Sequence, residues 1–462
     1  MYLYASNNSN KKYIYNSLTR FKDVIYEDQL SEHYSTVKNI KTLVMDYTDN
    51  FNTHYTHFLH NTNTNVFSNI SKGIDFIRNV CNIIHHELNI IFVCMFHGQV
   101  NSSIPGTFNA SVISHTLKGV VSSLQEDLSN LGHRVSLLQI PLVNDCVKVN
   151  NLFTYAPEDF IEYDRVVDYI EQISGMDRIA NIKEMIIQPM TNPVVKDRGS
   201  IFELKKKNNK VAIVTGASKG IGRGIAIYLA SLGYKLCLIS RDIGKLEELM
   251  DEISKVYNID CDVEACDLSN IDNVEDLCKR LRNRYDSISL LVCNAGINRK
   301  HSIINSRDKF NMEVLNTNFM SHYKIIHSLN DRITSNIIFV GSVAAVTIYN
   351  RYSGSSMYTS SKLALQGLAN GIFGDYSANG IKVSTIICGL ANTELGTRPS
   401  NNKNVQMTLG DELVQTYHIN HIVGMILNGG DRECITHVTI IPSKEANLLK
   451  RSDEYNVRNK LI

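Results

Sequence analysis

The chain has 462 residues, about three times the length of a typical single domain, which allows two or three domains with sizeable cores. Its 47 Lys and Arg balance 46 Asp and Glu and 43% of it is hydrophobic, so no global field holds nucleic acid or an anionic membrane, and small, roughly neutral partners are favoured. No run approaches the ~18 apolar residues of a membrane span, no apolar stretch follows a basic flank at the start, and the ten cysteines form no CxxC, which together predict a cytoplasmic protein with reduced core thiols.

In chain order, residues 1–35 hold either one strand and helix of a shortened unit or an unrelated leader. "TLVM" (42–45) and "NIIFV" (89–93) are strand-like apolar runs, and the second recurs at 336–340. At that spacing of 247 residues, "TLVM" falls on "SLLV" (289–292). At 248, "LKGVVSSLQEDLSNLGHRVSLLQI" (117–140) falls on "LQGLANGIFGDYSANGIKVSTIIC" (365–388), matching Gly119 with Gly367 and Gly132 with Gly380. At 253, "IKEMIIQP" (182–189) falls on "ITHVTIIP" (435–442). Self-similarity at a near-constant period marks repeated architecture, so two tandem copies of one domain are expected. Three strands precede "LLV" in the second half but only 41 residues precede "TLVM", so the first copy is expected to lack most of its leading unit.

Residues 190–210 combine Pro193, Gly199 and three lysines with little periodicity and read as a linker. Beyond it, "VAIVT", "KLCLIS", "DVEAC", "LLVCN", "NIIFV", "IKVSTII" and "ITHVTIIP" alternate with helical segments. Strands apolar on both faces and spaced by helices predict an α/β fold with a doubly wound parallel sheet. The expected division is a truncated, inactive domain over 1–192, a linker over 193–209, a catalytic domain over 210–445 and a polar tail over 446–462.

"VAIVT" runs into "GASKGIG" and then a helix. In this TGxxxGxG loop, from Thr215 through Gly216, Ser218, Lys219, Gly220 and Ile221 to Gly222, the glycines let backbone and helix start approach a pyrophosphate. The next strand ends in Ser240 and Arg241, where a dinucleotide without a 2′-phosphate would call for an acid on its ribose; with Lys219 nearby, the guanidinium favours NADPH. Asp267, followed by Leu268, stands where adenine would lie, and the small run Asn294, Ala295 and Gly296 lets backbone pass close to the cofactor. Tyr358 and Lys362 are four apart on one helix face, and Ser342 lies just past "NIIFV", at the carboxyl edge where such sheets bind ligands. An ammonium beside the phenol is expected to lower its pKa from about 10, making Tyr358 a usable proton donor, while Ser342 bonds a substrate oxygen and Lys362 also holds the nicotinamide ribose.

Together "TGASKGIG", "CDL", "NAG", Asn318 in "LNTNF", Ser342 and "YTSSK" resemble the short-chain dehydrogenase/reductase family over 210–442. The resemblance implies a tetrad of Asn318, Ser342, Tyr358 and Lys362, with Asn318 holding a relay water and hydride passing from nicotinamide to substrate carbon. Where the family often has Pro-Gly, this chain has Cys388 and Gly389, with Thr393 available to the carboxamide. Resemblance to 3-oxoacyl-carrier reductases, including high-molecular-weight forms and polyketide ketoreductases with a truncated first copy, implies the 3-oxo group of an acyl thioester, possibly bound to a carrier protein. A sugar, polyol or other small carbonyl is the alternative substrate, and a non-catalytic NADP(H)-binding scaffold or sensor the alternative class.

In the first copy, Ala110 and Ser114 stand in place of Tyr358 and Lys362, Ser71 in place of Asn318, Met95 in place of Ser342, and Tyr47, Thr48 and Asp49 in place of "NAG". That copy is therefore expected to bind no dinucleotide. The family's helical dimer interface implies that it serves as a built-in partner of the second copy, with a further homodimer left open. His85 with His86 and His418 with His421 lack the companions of a metal site and read as packing or surface residues, so no metal is expected.

Overall fold

The computed structural model describes residues 2–6, 24–26, 41–46, 77, 80–81, 86–95, 108–129, 131–140, 161–190, 210–299, 307–346, 356–393, 413–431 and 433–443. They divide into two compact units, Met1–Pro189 with Ile441–Ile462, and Met190–Ile440. The expected linker over 193–209 and the polar tail over 446–462 lie outside the described residues. Among the described residues no helix is long and apolar enough to cross a membrane, and the cysteines are unpaired thiols, most of them buried.

The first unit contains β1 (Tyr2–Ser6), β2 (Val24–Tyr26), β3 (Thr42–Asp46), β4 (Asn89–Met95), α1 (Phe108–Ser129), β5 (Arg134–Ile140), α2 (Tyr163–Ser174) and β6 (Ala180–Pro189). Its strands run parallel in the order β2-β1-β3-β4-β5-β6. Two strands, β1 and β2, therefore precede "TLVM", where one strand and helix or an unrelated leader was expected. Leu43, Ile90, Phe92, Val135 and Leu137 from the sheet pack with Leu117 and Val121 of α1.

The second unit contains β7 (Val211–Thr215), α3 (Gly220–Ser231), β8 (Lys235–Ser240), α4 (Ile243–Tyr257), β9 (Cys261–Ala265), α5 (Ile271–Arg284) and β10 (Ile288–Cys293). It continues with α6 (Asp308–Leu315), a π turn (Asn316–Met320), α7 (Ser321–Ser328), β11 (Ile333–Ser342), α8 (Ser356–Tyr376), β12 (Lys382–Cys388), α9 (Thr416–Leu427) and β13 (Glu433–Pro442). The order β9-β8-β7-β10-β11-β12-β13, parallel throughout, is the expected doubly wound sheet.

Local chemistry sets the ends of these elements. Asp242 caps α4 by accepting from Lys245 N–H, and Asn258 closes it in the left-handed region at φ 53°. Asn270 caps α5 by accepting from the N–H groups of Asp272 and Asn273. The strands are buried on both faces: Ile213, Leu291, Ile337 and Val383 meet Leu277, Ile325, Leu365 and Ala369 of α5, α7 and α8 on one, and the alternating Ala212, Val214, Leu290 and Val292 are buried on the other. On α3 and α9, Gly224 and Gly424 allow close approach, since a Cβ on Gly224 would lie 2.8 Å from Cβ of Thr416 and one on Gly424 would lie 2.5 Å from the Tyr228 hydroxyl.

The two sheets share their internal register. In β4 and β5, Asn89 faces Arg134, Ile90 faces Val135 and Ile91 faces Ser136; in β11 and β12, Asn336 faces Lys382, Ile337 faces Val383 and Ile338 faces Ser384. Leu137 faces Glu184 in β6, as Thr385 faces His437 in β13. Ile90 pairs with Leu43 and Ile337 with Leu291, a spacing one residue longer than the sequence match, where β10 carries a register shift between Ile288 and Leu290.

Candidate functional site

The carboxyl ends of β7, β10, β11 and β12 bring together the residues expected to act. The glycine-rich loop leaves β7 at Gly216, which sits at φ +68° where only glycine is comfortable. A Cβ there would lie 2.9 Å from Cα of Ala295, and one on Gly222 would land on the Gly216 carbonyl oxygen and the Asn294 amide. Loop and helix start are thus packed to backbone contact, with the amino end of α3 beside them. Gly216 N–H donates to the Ile239 carbonyl at 2.7 Å, which fixes the loop to β8.

Thr215 turns inward and is fully buried. Its hydroxyl accepts from Asn294 N–H and Ala295 N–H, both at 3.0 Å, and also lies 3.1 Å from the Val292 carbonyl and from His322. Of the residues assigned to cofactor contact, Thr215 therefore secures the loop from below and presents no hydroxyl to the crevice. The Asn294 amide donates to the Thr215 carbonyl at 2.9 Å and the Gly216 carbonyl at 3.3 Å, stitching the "NAG" stretch to the loop.

Lys219 and Arg241 are exposed, and Ser218 and Ile221 are half-buried. Ser240 is buried, and its hydroxyl accepts from Asp242 N–H at 3.2 Å. Asp267 accepts from Ser269 N–H at 3.1 Å and from the Ser269 hydroxyl at 2.9 Å, closing a turn beside buried Leu268. Gly389 N–H donates to Ile440 at 2.8 Å, and the Thr393 methyl stands 3.3 Å from where a Cβ on Gly220 would be. That brings Thr393 over the glycine-rich loop.

At the catalytic end, α8 carries Tyr358 and Lys362. The phenol is hydrogen-bonded to the Ser342 side chain, and Ser342 also accepts from Ala344 N–H at 3.2 Å. Lys362 is buried and donates to the Val340 carbonyl at 2.8 Å, with a Cβ on Gly296 placed 3.3 Å from its amine. Burial pushes the Lys362 pKa down to about 8. Burial also pushes the Tyr358 phenol up, opposed only in part by the Ser342 bond. The expected lowering by the ammonium is thus corrected: the amine points to the Val340 carbonyl, and desolvation is the larger effect on the phenol.

Asn318 is wholly buried in the π turn. Its amide oxygen accepts from Ile297 N–H at 2.8 Å, and its amide nitrogen donates to the Ile297 carbonyl at 3.0 Å and to the Ser361 hydroxyl at 2.9 Å. Ser361 in turn donates to the Tyr358 carbonyl at 2.7 Å. Ser361 and His322 were not singled out from sequence. A serine next to Lys362 and a histidine four residues after Asn318 were the available signals, but neither is distinctive without the fold. The positions equivalent to the tetrad in the first unit are Ala110 and Ser114 on α1 and Met95 at the end of β4; Ser71 and residues 47–49 lie outside the described residues. Among the described residues no cluster fits a metal.

Comparison with known proteins places residues 210–404 in the family described as short chain dehydrogenase. An oxidoreductase of Staphylococcus saprophyticus is 26% identical over 191 residues, 40% of this chain and 80% of the relative. A 3-oxoacyl-(acyl-carrier-protein) reductase of Rickettsia prowazekii is 27% identical over 190 residues, 40% and 74% of the two chains. Carbonyl reductase family member 4 of Danio rerio is 25% identical over 190 residues, 40% and 78%. Among solved structures, an alcohol dehydrogenase of Thermococcus sibiricus, complexed with 5-hydroxy-NADP, covers 52% of this chain and 98% of its own, with a TM-score of 0.45 at 20% identity. The glycine-rich loop and the Ser342, Tyr358 and Lys362 constellation thus lie within the stretch, residues 210–404, that matches the short chain dehydrogenase family.

Proposed function

We propose that the chain is an NADPH-dependent ketoreductase that converts a carbonyl to a secondary alcohol. The observation that carries the reading is the Tyr358 phenol bonded to Ser342 on the helix that buries Lys362, beside a loop with room only for glycine. NADPH would be held by the loop backbone and the amino end of α3, with exposed Lys219 and Arg241 facing the 2′-phosphate, and it would supply the hydride. Ser342 and Tyr358 would hydrogen-bond the substrate oxygen, and Tyr358 would deliver the proton as the carbon takes the hydride. A phenol kept neutral by burial is in the protonation state this step needs. Lys362, buried and positive near neutrality, would favour the phenolate left behind.

The substrate class proposed is the 3-oxo group of an acyl thioester, supported by the names of the relatives. The first unit is proposed to be an inactive copy of the second, supported by equivalent strand order, equivalent register and equivalent core positions such as Leu117 with Leu365. NADPH consumption with acetoacetyl-coenzyme A tests both enzyme and substrate class, with Tyr358→Phe as control. Turnover abolished by the substitution is the expected result. Turnover of other carbonyls only would reject the acyl-thioester class, and NADPH binding with no turnover of any carbonyl would reject the reductase.

A further inference from the structure

His322 belongs to none of the motifs, yet it lies under the floor of the crevice. It sits in the first turn of α7 and has no exposed surface. Its Nδ1 is 3.2 Å from the Asn318 carbonyl oxygen, and its Nε2 is 3.1 Å from Thr215 Oγ1. A carbonyl only accepts, so Nδ1 carries the ring proton and bare Nε2 accepts from the Thr215 hydroxyl. Thr215 accepts from two N–H groups, and its one proton lies between two acceptors, Nε2 and the Val292 carbonyl, each at 3.1 Å. Burial and then the charge of Lys362 push the ring down to about 3, so it stays neutral.

The ring therefore joins the end of β7, where the glycine-rich loop begins, to the π turn that carries Asn318. That turn matters because the Asn318 amide clamps Ile297 and Ser361, and Ser361 is bonded to the Tyr358 carbonyl. Irregular helical turns mark places where side chains meet the backbone ladder, and here the Ser321 hydroxyl donates to the Thr317 carbonyl at 2.9 Å while His322 faces the Asn318 carbonyl.

We propose that His322 is a positioning residue for the reduction: as the Nδ1–H tautomer it holds the Asn318 peptide against β7 and so sets where Asn318 clamps the helix bearing Tyr358 and Lys362. The inference rests on the ketoreductase reading. The test compares His322→Leu with His322→Asn in the full chain, using a carbonyl compound that the unsubstituted protein turns over and NADPH binding followed by fluorescence. An asparagine amide can donate near the place of Nδ1; leucine cannot.

The expected result is a kcat about 10-fold lower or worse in His322→Leu, with KM and the NADPH Kd within about 3-fold, and recovery to within about 3-fold of the original kcat in His322→Asn. Unchanged kcat in the leucine variant, or equal losses in both, would overturn the proposal. If the leucine variant does not fold, nitrogen-15 histidine spectra of the unsubstituted chain decide, with the His322 signals identified by their loss in His322→Asn. A non-titrating Nδ1–H ring between about pH 5 and 9 is expected, whereas an Nε2–H ring or one that titrates there refutes the assignment. Absence of any NADPH-dependent turnover would reject the ketoreductase reading, and the spectra would still judge the tautomer.

Discussion

At the scale of single residues, the site works by taking charge and hydroxyl groups out of water. Lys362 is the sharpest case. Its folded pKa of about 8 lies below the usual 10.5, so between those values the unfolded chain binds more protons and stability rises with pH. Below about pH 8 the buried charge carries its full penalty, up to about 3 kcal/mol for a shift of this size. Lys362→Met should therefore abolish turnover while raising the melting temperature at pH 7, and the gain should shrink as pH approaches 10.5; thermal melts across that range check it. A melting temperature that falls at pH 7 would contradict the burial argument. Gly222→Ala should act in the opposite sense, because its Cβ collides with loop backbone at the Gly216 carbonyl. A loss of NADPH affinity of at least about 10-fold is expected by titration, with a stability cost of about 1–3 kcal/mol.

At the scale of elements, matching positions in the two units do matching work. Arg134, at the start of β5, donates from Nη1 to the carbonyls of Met176, Asp177 and Ala180 beyond α2. Lys382, at the start of β12, donates to the carbonyls of Gly429 and Gly430 beyond α9. Ser136 lies 3.2 Å from the Asn181 amide oxygen, and Ser384 lies 3.9 Å from Cys434 Sγ at the corresponding place. In each unit a cation answers carbonyls of the connection that follows a helix. Arg134→Leu and Lys382→Leu should each cost about 2–3 kcal/mol by denaturant unfolding, since buried carbonyls lose charge-assisted partners. Costs below about 0.5 kcal/mol would show that water replaces the cation. The strands of the second unit were legible in sequence because both their faces are apolar, whereas the caps at Asp242 and Asn270 emerged only with the structure, although their side chains answer N–H groups two or three residues away. β1 and β2 were not legible, being short and set in polar sequence without a clear period.

At the scale of the whole molecule, the residues proposed for dinucleotide chemistry lie, among the described residues, in the second unit. The full chain should bind one NADPH, as measured by titration calorimetry, and Gly222→Ala should remove that site without exposing another. A stoichiometry of two would show that the first unit has kept a site through residues other than those expected. If the first unit is a copy of the second, as proposed, selective loss of its site is physically reasonable. A parallel sheet is held by its core and its register, which both units share, whereas the chemistry depends on a few side chains at strand ends that packing does not require.

The sequence by itself determined the doubly wound sheet of the second unit, the glycine-rich loop and the identity of Asn318, Ser342, Tyr358 and Lys362. Those features are written in local order: strand, loop and helix start are contiguous, and Tyr358 and Lys362 are one helical turn apart. Only the tertiary structure decided which way each side chain faces. Thr215 turned inward to β10, Asn318 became a clamp between Ile297 and Ser361, and His322 joined two elements 107 residues apart in sequence. It also decided the sign of the shift at Tyr358, because desolvation depends on what surrounds the phenol in space, and no spacing along the chain records that.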